Sequence, residues 1–223
     1  MIHYLHDVQV SSRGRIGANR KNIVCFDTVE KLLENSADQS AIVLSADDGY
    51  RSVVELLPLI ERFSVPLYLF IATGFISGEV YPYEVEISTA LERGFLLPGE
   101  SSGKDAEAIF QEAHALLKRA SQTKRENYLI KSAQTWGYKR NQVRPAVFFQ
   151  WHELEDLCRH PLVEIGSHTH SHLCLSRLGP ATLWRELKMS RTILQRKIGC
   201  SISKLSYPYG SMTSVVEFFA SIA

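Results

Sequence analysis

The sequence predicts a parallel α/β fold, and three observations predict it. Residues 41–75 read strand, helix, strand; the same rhythm resumes between 151 and 210; and the polar clusters fall where the predicted strands end. Strands that alternate with helices pair in parallel, because a parallel pair needs a crossover and a helix supplies one. Such a chain closes into a barrel or spreads into an open sheet. In both forms, functional groups collect at the carboxyl ends of the strands.

HYLHDV near the N-terminus is a strand candidate, and AIVLSA (41–46) is a short apolar, β-branched run that ends in the turn signal Asp47-Asp48-Gly49. YRSVVELLPLIERF reads as a helix with Val53, Leu57 and Ile60 on one face. Pro58 should kink that helix or begin a new segment, since it lacks an N–H and its ring crowds the preceding turn. VPLYLFIATGF (65–75) is a strand candidate ending at Gly74. From about 77 to 150 the chain is helical in propensity, apart from a loop-like LLPGESSGKD. Residues 104–144 carry nine Lys and Arg against four Asp and Glu, an excess of five positive charges. That excess suits a solvated helical excursion, or a cap that helps hold a polymeric or anionic substrate. WHELEDLCRH is a short helix and VEIGSH (163–168) a strand. Residues 179–199 form a clear helix, started by Gly179-Pro180, lined by Leu183, Leu187, Ser190, Leu194 and Ile198, and stopped by Gly199. SKLSYPYG (203–210) is a further strand with a turn, and MTSVVEFFASIA a last helix.

A chain of 223 residues fits a single domain over 1–223 with a helical insertion at about 77–150. Hydrophobic residues make up 45% and charged residues 22%, so a sizeable core can be buried. A net charge of +1 gives no global field to attract nucleic acid or an anionic membrane. No apolar run approaches the roughly 18 residues that span a bilayer. MIHYLHDVQVSSRGR lacks the basic and apolar regions of a signal peptide. The four cysteines show no CxxC spacing and read as reduced, mostly buried thiols, with a cytoplasmic location as the default. Trp136, Trp151 and Trp184 read as packing anchors. Tyr50, Tyr81 and Tyr83 stand near strand ends, where a sugar ring could meet them.

The chemistry concentrates in EIGSHTHSHL, residues 164–173. His168 and His172 are four apart and share a side in helical or extended backbone; His170 joins them only if the backbone stays extended. Imidazole suits zinc, but two histidines leave a tetrahedral ion short of the three protein ligands usual at a catalytic site. The adjacent carboxylates Asp47 and Asp48 end another strand and point in different directions. One can bind the ion while the other holds a water and acts as general base.

These residues resemble the polysaccharide deacetylases with the NodB-homology domain, carbohydrate esterase family 4. The family's T-F-D-D-G motif is matched by Ser45-Ala46-Asp47-Asp48-Gly49, its H-[S/T]-x-x-H motif by His168-Thr169-His170-Ser171-His172, and its R-x-P-Y motif by Ser206-Tyr207-Pro208-Tyr209 before Gly210. The resemblance covers roughly residues 40 to 215. It implies a parallel (β/α) deformed barrel of the NodB type. It also implies a metal-dependent hydrolase that removes acetyl groups, most often N-acetyl, from a polysaccharide or oligosaccharide, with an N-acetylated glycan as its partner. Asp48, His168 and His172 match the ligands of one divalent ion, usually zinc. Asp47 matches the general base, Tyr209 matches the residue whose backbone N–H helps hold the oxyanion, and His170 matches a variable position.

The sequence departs from the family at several points. Ala46 and Ser45 stand for Phe and Thr, and Ser206 stands where the family's arginine orients the base aspartate. The chain ends about one helix after the third motif, so the expected barrel is incomplete at its C-terminus and lacks the family's later aspartate motif and its late histidine acid. His6 is the candidate replacement acid. Two other functions fit the residues: an inactive remnant that binds metal or glycan, and a different metal-dependent amidohydrolase built on the HxH pattern within His168-x-His170-x-His172. His170 and Cys174, close to the motif, read as supporting or filling residues.

Overall fold

The computed structural model describes residues 2–5, 7–9, 23–35, 42–95, 105–144 and 146–209. His6, most of LLPGESSGKD and the segment MTSVVEFFASIA lie outside the described residues. The strands are β1 (Ile2–Leu5), β2 (Asp7–Gln9), β3 (Ile23–Cys25), β4 (Val43–Ala46), β5 (Leu67–Ile71) and β6 (Val163–Ser167). The helices are α1 (Phe26–Glu34), α2 (Leu57–Phe63), α3 (Thr73–Ser77), α4 (Tyr83–Glu92), α5 (Ala106–Leu117), α6 (Gln122–Trp136), α7 (Trp151–Leu157) and α8 (Pro180–Ile198).

Four strands make one all-parallel sheet in the order β1-β4-β5-β6, and β2 and β3 make a second parallel pair. The described strands do not close into a barrel; the architecture is a mixed α/β fold with an open parallel sheet. Its register matters for function. Ala46 pairs with Leu69, and Ile71 with Ser167, so the segments after β4, β5 and β6 leave the sheet side by side on one edge. β5 shows why the strands hold. Leu67, Leu69 and Ile71 are buried while Tyr68 and Phe70 are half-buried, as befits a strand covered on both faces.

Three expectations change in detail. Residues 51–56 form a 3₁₀ turn, and Pro58 opens α2, where its missing N–H has no helical partner to lose. The buried face there is Val53, Leu56, Leu59 and Ile60, with Leu57 only partly buried. The strand predicted over 65–75 stops at Ile71, because Ala72, still extended, is the N-cap of α3 over Thr73–Ser77. The strand predicted at 203–210 is reduced to one parallel bridge, Ser167 to Leu205.

The main core lies between the sheet and helices α2, α7 and α8, with Leu44, Leu56, Ile60, Leu67, Ile71 and Leu194 fully buried. Helices α4, α5 and α6 hold a second cluster of their own, built on Tyr83, Ile87, Phe110, Leu117, Leu129 and Trp136. Trp151 packs on the main core, but Trp184 is 61% exposed with Lys188 4.3 Å above its ring, so it is no packing anchor. Cys158 and Cys200, 42 residues apart in sequence, lie together with Cα atoms 6.6 Å apart, a separation a disulfide can span. Cys174 is free and buried, as expected. No helix among the described residues is long and apolar enough to cross a membrane.

Candidate metal centre

The strand-end turn after β4 delivers both aspartates. Asp48 adopts φ 70° and Gly49 φ 93°, so the chain reverses within two residues. A side chain at Gly49 would be strained by that φ and would meet Ile76 Cδ1 at 3.0 Å. The histidine loop follows β6 and is held from three sides. Helix α3 presents its first amides to it: Thr73 N–H donates to the Thr169 carbonyl (3.2 Å) and Gly74 N–H to the His170 carbonyl (2.9 Å). A Cβ on Gly74 would sit 2.6 Å from that same carbonyl, so the contact needs glycine. From the other side the buried Glu186 carboxylate of α8 accepts from the backbone of His170 (3.1 Å) and Ser171 (2.7 Å). Within the loop, His172 N–H donates to Thr169 Oγ1 (3.2 Å).

Among the described residues, Asp48, His168 and His172 form the group whose donor atoms could hold a metal ion, all within 4.8 Å of one another. Asp48 Oδ1 lies 3.5 Å from His168 Nε2 and 3.2 Å from His172 Nε2. Ligand atoms about 2.1 Å from a tetrahedral ion are about 3.4 Å apart, so these separations suit one shared ion. The tautomer of His168 points the same way. Its Nδ1 lies 3.0 Å from the Ser206 carbonyl, which only accepts, so Nδ1 donates there and Nε2 is the nitrogen left to bind a cation. That Nε2 is buried, makes no hydrogen bond and faces carboxylate oxygens of Asp48 and, at 3.9 Å, Asp47. A deprotonated Nε2 aimed at a carboxylate is repulsive unless a cation lies between them. The donor set therefore fits a divalent ion.

Asp47 stands beside this group, and Ser206 Oγ donates to its Oδ2 at 3.2 Å. His170 turns away, with Nδ1 2.9 Å from Thr73 Oγ1 and Nε2 3.6 Å from Glu79. Tyr209 closes the other side. It has φ 63°, and its ring centroid lies 4.7 Å from that of His172. Its hydroxyl accepts from Arg125 Nη2 (2.9 Å) and donates toward Glu84 Oε1 (3.2 Å), with Tyr83 Oη 3.5 Å away. Burial pushes the Tyr209 phenol well above its ordinary range, so it stays neutral. Burial also raises the Glu84 carboxyl, against the opposing pull of Arg125. Of the tyrosines near strand ends, Tyr83 is buried and Tyr50 and Tyr81 pack on Phe148.

Sequence reasoning missed Glu186 and Arg125. Each lies on the apolar stripe of its helix: Glu186 with Leu183, Ser190 and Leu194, and Arg125 with Leu129, Ser132 and Trp136. A charge on a buried stripe is the signal that would have found them, since such a group is buried only with partners.

The sequence model of the polysaccharide deacetylase family matches residues 34–221. The chain belongs to this family. Solved structures with the same polysaccharide deacetylase fold include a Streptococcus pyogenes deacetylase, PplD, in complex with acetate; it is 13% identical with a TM-score of 0.53, and the match covers 98% of this chain and 78% of that one. A de-N-acetylase from Aggregatibacter actinomycetemcomitans is 16% identical with a TM-score of 0.51, covering 99% and 84%. A polysaccharide deacetylase from Bacillus cereus is 11% identical with a TM-score of 0.53, and the chain spans 54% of its length. Among curated proteins none matches. The family is one of carbohydrate deacetylases, so both the parallel α/β fold and the family expected from the motifs are borne out.

Proposed function

We propose that the chain is a metal-dependent deacetylase that hydrolyses N-acetyl groups on a glycan, within a single domain over 1–223 whose insertion spans about 77–150. The observation that carries this reading is His168 Nε2, buried without a hydrogen bond beside the carboxylate oxygens of Asp48 and Asp47. The titles of two structural neighbours, a de-N-acetylase and a deacetylase holding acetate, support the choice of bond and product.

Asp48, His168 and His172 would hold the ion, with zinc favoured by two imidazoles and one carboxylate. When bound, such an ion supplies Lewis-acid polarisation of the acetyl carbonyl and a lowered pKa for the attacking water. Asp47 accepts the proton of that water, and Ser206 Oγ fixes the carboxylate by occupying one oxygen. The Tyr209 backbone N–H donates to the developing oxyanion, a fixed dipole that needs no reorganisation. The water oxygen bonds to the acetyl carbon, the proton taken by Asp47 passes to the departing nitrogen as the C–N bond breaks, and acetate and a sugar amine result.

The test is acetate release from N-acetylglucosamine oligomers by zinc-reconstituted protein. Wild type should release acetate, and Asp47→Asn should be slower by on the order of 10²–10⁴-fold while still taking up about one ion. Metal uptake without release by wild type would favour the inactive remnant, for which the replacement of the family's arginine by Ser206 is the motivating observation.

A further inference from the structure

Arg125 lies on α6, in the helical stretch between β5 and β6, yet it is only 5% exposed and its guanidinium reaches the candidate metal centre. Nη1 donates to the His172 carbonyl at 2.9 Å, and Nη2 to the Tyr209 hydroxyl at 2.9 Å and the Lys118 carbonyl at 3.1 Å. Nε donates to the Leu117 carbonyl at 3.0 Å. The guanidinium carbon sits 5.0 Å from the Tyr83 ring and 5.7 Å from the Tyr209 ring. One rigid fork thus joins the end of α5, the histidine loop and the Tyr209 turn, segments 47 and 84 residues away along the chain.

Two of those partners need holding. His172 has φ 50° and Tyr209 φ 63°, conformations that side-chain-bearing residues leave readily. A carbonyl fixed by a charge-assisted bond cannot rotate its peptide, so the His172 ring keeps its direction. Lysine cannot substitute, because one ammonium lacks the planar fork that reaches both acceptors.

We infer that Arg125 is a positioning residue of the metal centre, clamping the His172 backbone and the Tyr209 hydroxyl, so that the helical stretch is a working wall of the site. This rests on the metal reading of Asp48, His168 and His172. Its role differs from that of the arginine the third motif lacks, since the Asp47 carboxylate is met by Ser206.

The test is cobalt(II) titration of the full chain, followed by visible absorption and by competition with a chelator. Arg125→Gln and Arg125→Lys should each weaken cobalt affinity about tenfold or more and shift the visible bands. Ser121→Ala, which removes the α6 cap bond to Lys124 N, controls for loosened helices. It should lower thermal stability and leave affinity and spectrum unchanged. Should Arg125→Gln not fold, Arg125→Lys, which keeps the buried charge, decides. Folded Arg125 variants that bind cobalt as wild type does, with its spectrum, overturn the inference alone. A wild type that takes up no cobalt overturns the metal reading, and this inference with it.

Discussion

Among the described residues, five non-glycine positions have positive φ, and four of them are Asp48, Thr169, His172 and Tyr209. Strain of this kind persists only where surroundings over-determine it, and here the surroundings are the bonds from α3, Glu186, Arg125 and Ser206. The three histidines of the 168–172 loop then divide by direction. His168→Ala should abolish measurable zinc uptake by calorimetry, since it removes one of three donors. His170→Ala should keep zinc uptake and cost about 1–3 kcal/mol of stability in urea, because it leaves the buried Thr73 hydroxyl short of a partner. The spacing of the histidines left His170 open, because an extended loop would have aligned all three. The turn at Thr169, with φ 67°, decided it.

At the scale of elements, the loop after β6 is shaped by two helices that contribute different chemistry. The short α3 offers amide donors, and the long α8 offers the acceptor Glu186. Ser190 supports the same corner through a 2.8 Å bond to Ser167 Oγ. Glu186→Ala should therefore strand two buried amides and lower unfolding stability by roughly 3 kcal/mol in urea titration. A loss below 0.5 kcal/mol would show that water replaces the carboxylate. The limits of α8 and its Gly199 stop were legible, because capping and periodicity are local. The shortness of β5 and the collapse of 203–210 to one bridge were not, because apolar runs do not reveal where a neighbouring strand ends.

Across the whole molecule, part of the basic excess of 104–144 is spent internally, while Arg119, Lys124, Lys131 and Lys139 are exposed. Arg125 is buried, and Arg140 and Arg144 both reach the Glu86 carboxylate. Between these groups and the Tyr209 turn stands His114. It lies 3.1 Å from Tyr83 Oη, with its ring 5.9 Å from Phe110 and 6.5 Å from Tyr209. Burial first, then Lys118 and Arg125, lower its pKa from the ordinary 6.5. Its neutral form is thus favoured in the fold, while the unfolded chain binds a proton below pH 6.5. The stability from this group is complete above that pH and is lost as pH falls toward the lowered folded value. Glu84 and Glu86 titrate with raised values and the opposite slope, so the readout is a difference. Relative to His114→Gln, wild type should lose more melting temperature between pH 7 and pH 5. Parallel curves would show that His114 does not contribute.

The sequence by itself determined the parallel α/β class and the family, and it pointed to Asp47, Asp48, His168, His172 and Tyr209 as candidates, because strand-helix alternation and short motifs are local patterns. It did not bring Cys158 and Cys200 together, and it read an exposed Trp184 as an anchor. Only the tertiary structure decided those, along with the direction of His170, the Ser206 bond to Asp47 and the reach of Arg125 into the site. The physical reason is common to all of them. Each contact depends on a partner tens of residues away, and Trp184 on which side of its helix the fold leaves exposed; composition and periodicity carry no information about either.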